Sequence, residues 1–168
     1  LSNETAWGTI QFSNIAKENN FPEIVTIQNE YSLMCRHFDL DLAEVCHHEK
    51  IGLLSFSPLA CGILSGKYSN SEIPSGSRKS INISLGNRNS KLTNLAAEEY
   101  FGLAKKYSLD PCQMALSFCL SRPFMTSVIF GATNENQLLN NINSKDLVLE
   151  KNLLNEISII HKKYPIPF

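Results

Sequence analysis

Residues 51–68 read IGLLSFSPLACGILSGKY, and the opening IGLLSFS decides the fold class. It is a nearly continuous apolar run of strand length, and such runs are typical of parallel strands covered on both faces rather than antiparallel strands with one wet face. It is predicted to be buried on both sides. The next stretch is of another kind, since residues 58–93 are dense in Gly, Ser, Asn and Pro. Structureless connections beyond ~12–15 residues are uncommon in compact domains unless they act as lids, bind ligands or are disordered. A long loop at the C-terminal end of a buried parallel strand is where α/β folds place ligands, and Lys67, Arg78, Lys79 and Arg88 are cations available there to an anion.

Working outward, a strand followed by a helix recurs. Residues 24–28 (IVTIQ) are a short β-branched run, and residues 38–50 then place Phe38, Leu42, Val45, Cys46 and Glu49 at helical spacing. On the other side, residues 126–130 (TSVIF) predict a third strand and residues 134–144 a following helix carrying Leu138, Leu139 and Ile142. No Asn-Gly or Asp-Gly pair joins two strand-like runs, so parallel crossovers are expected rather than hairpins. Asp110-Pro111-Cys112-Gln113 has the capping-box arrangement ahead of an apolar helix that should stop before Pro123. A helix beginning near Asn94 carries Ala96, Tyr100, Leu103, Ala104 and Tyr107 on one face. Leu153, Leu154, Ile157 and Ile160 mark a C-terminal amphipathic helix, barred from continuing by Pro165 and Pro167. Residues 2–5 read as a strand end turning into a helix, with Trp7 and Ile10 just inside it.

The 168 residues suit one domain. Lys and Arg number 15 against 16 Asp and Glu, a net of −1 with no like-charge run, so nucleic acid is not an expected partner. Hydrophobic residues at 43% and charged ones at 18% exclude disorder. No stretch approaches the ~20 apolar residues of a membrane span and no signal peptide opens the chain, so a cytoplasmic protein with no membrane partner is expected. The 5 cysteines are odd in number and irregular in spacing, which points to reduced thiols. Residue 1 is Leu, so a fragment or a processed chain is expected.

Local motifs for other chemistries are weak. Cys46-His47-His48 lacks a second pair at metal-ligand spacing and reads as a buried Cys beside solvated histidines, so no metal site is assigned. Cys112 and Cys119 read as core packing, and the asparagines crowding 134–143, taken alone, as solvated positions. No Gly-x-Gly-x-x-Gly, Walker loop, His-Glu-x-x-His or Gly-x-Ser-x-Gly occurs.

The run SPLACGILSGKY at 57–68 resembles the cofactor loop after the seventh strand of aldo-keto reductases, especially the branch of Tas-type bacterial enzymes and potassium channel β-subunits. LSNET at 1–5 is similar to the family's segment closing strand five, and TIQNEYSL at 26–33 to its strand-six motif. Asp110-Pro111 to Leu116, Gly131-Ala132-Thr133 and Gln137-Leu138 with Asn141-Ile142 match its last third in order and spacing. The resemblance covers essentially the whole chain. It implies an α/β fold, the C-terminal half of a (β/α)8 TIM barrel with a C-terminal helix, running from the stump of strand five through strand eight. Residues 1–168 would then be a partial NADP-dependent oxidoreductase domain.

For function, the resemblance implies hydride transfer from NADPH to a small-molecule aldehyde or ketone. The family's catalytic Tyr, Lys, Asp and His lie in its first half, upstream of Leu1, so no catalytic residue is assigned here. Ser2, Asn3 and Gln28 resemble the groups that bond the nicotinamide carboxamide, and Phe56 the aromatic that stacks on the ring. Ser57, Leu59, Cys61 and Lys67 resemble the pyrophosphate-facing loop, and Arg78 the residue across the adenosine half. Gly131, Thr133, Gln137, Asn140 and Asn141 correspond to the helix N-terminus that holds the 2′-phosphate and adenine. Many relatives have Lys where Gly131 stands, Arg at Gln137 and an acid at Asn140. NADP is the expected cofactor over NAD. Two other readings stay open, a nucleotide-sensing binding protein like the β-subunits and an inactive truncated product. An unclosed barrel would also present open edges through which the chain aggregates, pairs with itself or pairs with a missing half.

Overall fold

The computed structural model describes residues 1–69 and 73–168. Helix α1 (Ala6–Glu18) is started by Thr5, whose hydroxyl accepts the Gly8 N–H. Strand β1 (Thr26–Glu30), helix α2 (Leu42–Glu49) and strand β2 (Gly52–Phe56) come next. After a 3-10 turn at Ala60–Ser65 come the short α3 (Arg78–Ile81), then α4 (Lys91–Lys106) and α5 (Pro111–Leu120). Strand β3 (Met125–Val128), α6 (Glu135–Asn143) and α7 (Lys151–Lys163) complete the chain.

The strands form one parallel sheet in the order β1-β2-β3, and Ser2 adds a parallel bridge to Gln28 on the outer side of β1. Spatial order therefore equals chain order. Right-handed crossovers that always step the same way put every crossover helix on one face of the sheet. A doubly wound sheet would reverse its order, and this one does not. The fold is thus α/β with a singly wound parallel sheet, consistent with a partial barrel.

That arrangement corrects the expectation that residues 51–57 are covered on both faces. Burial alternates along β2: Leu53 and Ser55 are fully buried among the helices, while Leu54 and Phe56 on the other face are only half-buried. Among the described residues, helices cover one face alone. The expected helix at 38–50 begins only at Leu42, with Phe38 buried from a separate 3-10 turn at His37–Asp39. The helix expected near Asn94 starts at Lys91, where the Ser90 hydroxyl accepts the Thr93 N–H.

Asp110 caps α5 by accepting the Gln113 N–H, but the reciprocal half of the capping box is not made. The Gln113 side-chain amide instead donates to the side-chain and backbone oxygens of Asn140. The apolar face expected on α6 is exposed: Leu138, Leu139 and Ile142 are 43, 58 and 42% accessible, and the buried residue of that helix is Asn141. Among the described residues the sheet ends at β3, and none covers that face. At the opposite edge, Trp7 on α1 is 73% exposed.

The core lies between the sheet and the helices, around Ile27, Leu53, Tyr100, Met114 and Phe118. One polar hub is set into it. Asp39 accepts from the Tyr31 hydroxyl at 2.8 Å and from Arg36 Nε at 2.7 Å, with Arg122 Nη2 at 3.5 Å. Both guanidiniums stand by the ring of Phe118, at 5.2 and 5.7 Å from its centroid.

Candidate functional site

The residues singled out by resemblance fall on four neighbouring parallel segments and in the loops and helices that follow their C-terminal ends. Gln28 pairs in register with Leu54, and its backbone N–H donates to Leu1 O at 3.0 Å. Asn3 returns an N–H to Gln28 O at 2.9 Å, so Ser2, Asn3 and Gln28 share one end of the sheet. Asn29, which sequence reasoning passed over, donates its amide to Glu4 O at 3.1 Å and so ties down the turn carrying Asn3. Its partner signal is the next register pair, Asn29 with Ser55, both polar on the helix-covered face. Phe56 ends β2 and is half-buried on the open face.

Beyond Phe56 the backbone is unusual. Ser57, Ala60, Cys61, Gly62 and Gly66 all have positive φ, and Ala60 to Gly62 do so consecutively. This winds the loop into tight turns, in which the Ala60 N–H donates to Ser57 O at 2.8 Å and the Gly62 N–H to Leu59 O at 2.9 Å. Non-glycine residues adopt a positive φ only where the surroundings hold them, and Pro58, Ala60, Ile63 and Leu64 are buried beneath the loop as anchors. Gly62, at φ +89°, meets a second constraint: a Cβ there would stand 2.9 Å from Lys67 Nζ and 2.8 Å from Lys67 Cε. The Lys67 ammonium thus lies against bare backbone. Arg78 Nη1 stands 3.7 Å from Cys61 Sγ. Lys67, Arg78 and Lys79 make no ion pair among the described residues.

The loop expected over residues 58–93 is therefore partly built structure, with residues 70–72 outside the described ones. Arg88 is a correction to the anion reading. It bonds Glu30 through Nε at 3.0 Å and Nη2 at 2.5 Å, and donates to Leu85 and Gly86 carbonyls, which leaves it a latch rather than a free cation. Phe168 covers its guanidinium at 5.1 Å.

The second group of residues opens α6. Asn134 caps the helix by accepting the Gln137 N–H, and Gln137 Oε1 accepts from both the N–H and the hydroxyl of Thr133 at 3.0 Å. Gly131 and Thr133 are exposed. Asn140 is engaged elsewhere: its amide donates to Asp110 and its oxygen accepts from Gln113, tying α6 to α5. Asn141 is buried beside it.

All 5 cysteines are free thiols. Burial pushes Cys35, Cys46 and Cys112 up to about 11, which keeps them protonated and unreactive. His47 and His48 are exposed beside buried Cys46, and no cluster of metal-binding side chains occurs among the described residues. No described helix is long and apolar enough to cross a membrane.

Comparison with known proteins bears on this geometry directly. The family model described as the aldo/keto reductase family matches residues 1–162. Protein tas of Escherichia coli (strain K12) is 41% identical over 167 residues, covering 99% of this chain and 48% of that protein. An aldo-keto reductase of Babesia bovis is 33% identical over 175 residues, 99% of this chain and 61% of its own length. A probable voltage-gated potassium channel subunit beta of Oryza sativa subsp. japonica is 30% identical over 154 residues, 84% of this chain and 47% of its own. The chain spans about half the length of the curated relatives it matches.

Proposed function

This chain belongs to the aldo/keto reductase family, and from that premise we propose that residues 1–168 are the C-terminal half of a (β/α)8 barrel, the part that holds NADPH. The observation that carries the reading is the loop after β2, where Lys67 lies against the bare backbone of Gly62, Arg78 reaches Cys61 and Lys79 shares the Tyr68 ring with Lys67, three cations without ion-pair partners among the described residues in a setting fit for a pyrophosphate. Ser57, Leu59, Cys61 and Lys67 would hold the two phosphates, and Arg78 would lie across the adenosine half. Ser2, Asn3 and Gln28 would bond the carboxamide, which costs ~1–3 kcal/mol if buried unpaired. Phe56, half-open on the uncovered face, would fix which side of the nicotinamide is presented. Gly131, Thr133, Gln137, Asn140 and Asn141 would take the 2′-phosphate and adenine at the α6 N-terminus. For Asn140 this requires exchanging its present bonds to Gln113 and Asp110.

When bound, NADPH supplies a hydride to the carbonyl carbon of an aldehyde or ketone. Within this chain the residues bind and orient; the proton donor of the whole protein's reaction is assigned to none of them. A second reading, a nucleotide-sensing binding protein, is favoured by the likeness to potassium channel β-subunits. Both readings share the nucleotide site, a cytoplasmic setting and no lipid or nucleic-acid partner. The exposed edges at α1 and α6 further favour self-association of the chain as given.

Titrating the chain with NADPH and NADH by nucleotide fluorescence tests the reading. NADPH should bind roughly tenfold or more tighter, since the 2′-phosphate adds charge-assisted hydrogen bonds worth ~1.5–3 kcal/mol. Equal affinities would overturn the choice of NADP, and binding of neither nucleotide would overturn the site. Light scattering on the same sample reads the association state.

A further inference from the structure

Tyr68 is unused by the site just described, yet it touches both limbs of the loop that builds it. Its hydroxyl accepts the backbone N–H of Lys79 at 3.1 Å. Its ring lies 5.3 Å from Lys67 Nζ and 5.4 Å from Lys79 Nζ. The same hydroxyl would stand 3.6 Å from a Cβ on Gly62, beside the Lys67 ammonium. One phenol thus meets the 60–68 limb at Gly62 and Lys67, and the α3 limb at Lys79.

Helix α3 needs such an anchor. It has four residues and none of them is buried, and a single helical turn does not hold itself in water. Its first residue is Arg78, which reaches Cys61 from that position. Lys67, Arg78 and Lys79 also repel one another. An aromatic face attracts an ammonium, and a ring with lysines at its face offsets part of that repulsion.

We propose that Tyr68 is a positioning residue for nucleotide binding: it tethers α3, and with it Arg78, to the loop after β2, so that the cations are arranged before an anionic dinucleotide arrives. The proposal rests on reading that loop as the pyrophosphate site. Pre-organisation of this kind lowers the ordering cost of binding and is read in affinity.

The test compares the full chain with Tyr68→Phe, which keeps the ring and loses the acceptor, and Tyr68→Leu, which loses both. Dissociation constants are measured for NADPH and for reduced nicotinamide mononucleotide, which lacks the adenosine half. Amide hydrogen exchange at residues 78–81 is followed without nucleotide. Tyr68→Phe should weaken NADPH roughly threefold to tenfold, as loss of one hydrogen bond does, leave the mononucleotide unchanged and speed exchange at 78–81. Tyr68→Leu should go further in the same direction. Unchanged exchange, unchanged NADPH binding, or equal losses for both nucleotides would overturn the tether. Failure of the unsubstituted chain to bind NADPH would overturn the pyrophosphate reading itself, which the exchange measurement separates from the tether.

Discussion

Leu53 and Leu54 are consecutive residues of one strand, and their surroundings have little in common. Leu53 is fully buried among helix side chains, whereas Leu54 is half-open on a face that no described helix covers. The same division runs across the sheet, with Ile27 opposite Leu53 and Gln28 opposite Leu54. A pleat alternates its side chains, so one face is fixed by the helices this chain supplies and the other by whatever lies across it. The helix-covered face holds the fold together. The open face carries the polar Gln28 and the aromatic Phe56.

The largest expected effect sharpens this contrast. Leu53→Ala should cost ~2–5 kcal/mol of unfolding free energy, the range for a buried leucine with a cavity left behind. Leu54→Ala should cost less than half as much, because water already reaches that side chain. Urea unfolding of the two variants decides it. Equal losses would mean that the open face is covered in solution.

The same division explains what the sequence could disclose. The face packed on helices was legible, since Ala96, Tyr100, Leu103 and Ala104 recur at helical spacing and are buried as expected. Leu138, Leu139 and Ile142 have an equally clear spacing and are exposed. Periodicity announces that a helix has an apolar face; it says nothing of whether a neighbour exists to cover it. Long-range polar pairing was hidden for a related reason. Arg88 meets Glu30 across 58 positions, and Gln113 meets Asn140 across 27, so neither partner is visible in a local window. At the candidate site, resemblance singles out the loop, but the left-handed turns at Ala60 and Cys61 are not written in residues that prefer them. They are imposed by the buried anchors around them.

A somewhat smaller effect is expected at the Asp39 hub, also on the helix side. Asp39→Ala would leave Arg36 and Arg122 facing Phe118 without their carboxylate, and the Tyr31 hydroxyl without its acceptor. Removing one partner of a largely buried pair strands the other charge. A loss of about 2–3 kcal/mol is expected. The solvent-exposed pair Lys106–Glu156 on α4 and α7 provides the contrast, and Lys106→Ala should cost under ~1 kcal/mol. Denaturant midpoints of the two variants, measured side by side, should differ accordingly, and similar losses would place the hub in solvent.

The smallest effect is a pH dependence at the edge of that hub. His161 on α7 has a buried Nδ1 with no hydrogen-bond partner among the described residues, and the charged or titratable groups facing it are Arg36, Asp39 and His37. Burial lowers its pKa below the ordinary 6.5, and the neighbouring Arg36 lowers it further against the opposing pull of Asp39. The folded state therefore binds the proton less readily than the unfolded chain does. Linkage then fixes the sign: the contribution is fully present above pH 6.5, shrinks as pH falls through the depressed value, and changes no more below it. His161→Gln removes this titration while His37, His47 and His48 remain. Unfolding curves at pH 7.5 and 5.5 should show the unsubstituted chain losing more stability on acidification than His161→Gln. Parallel losses in the two proteins would show that the ring is charged in the folded state and that the hub is more open to water than its packing indicates.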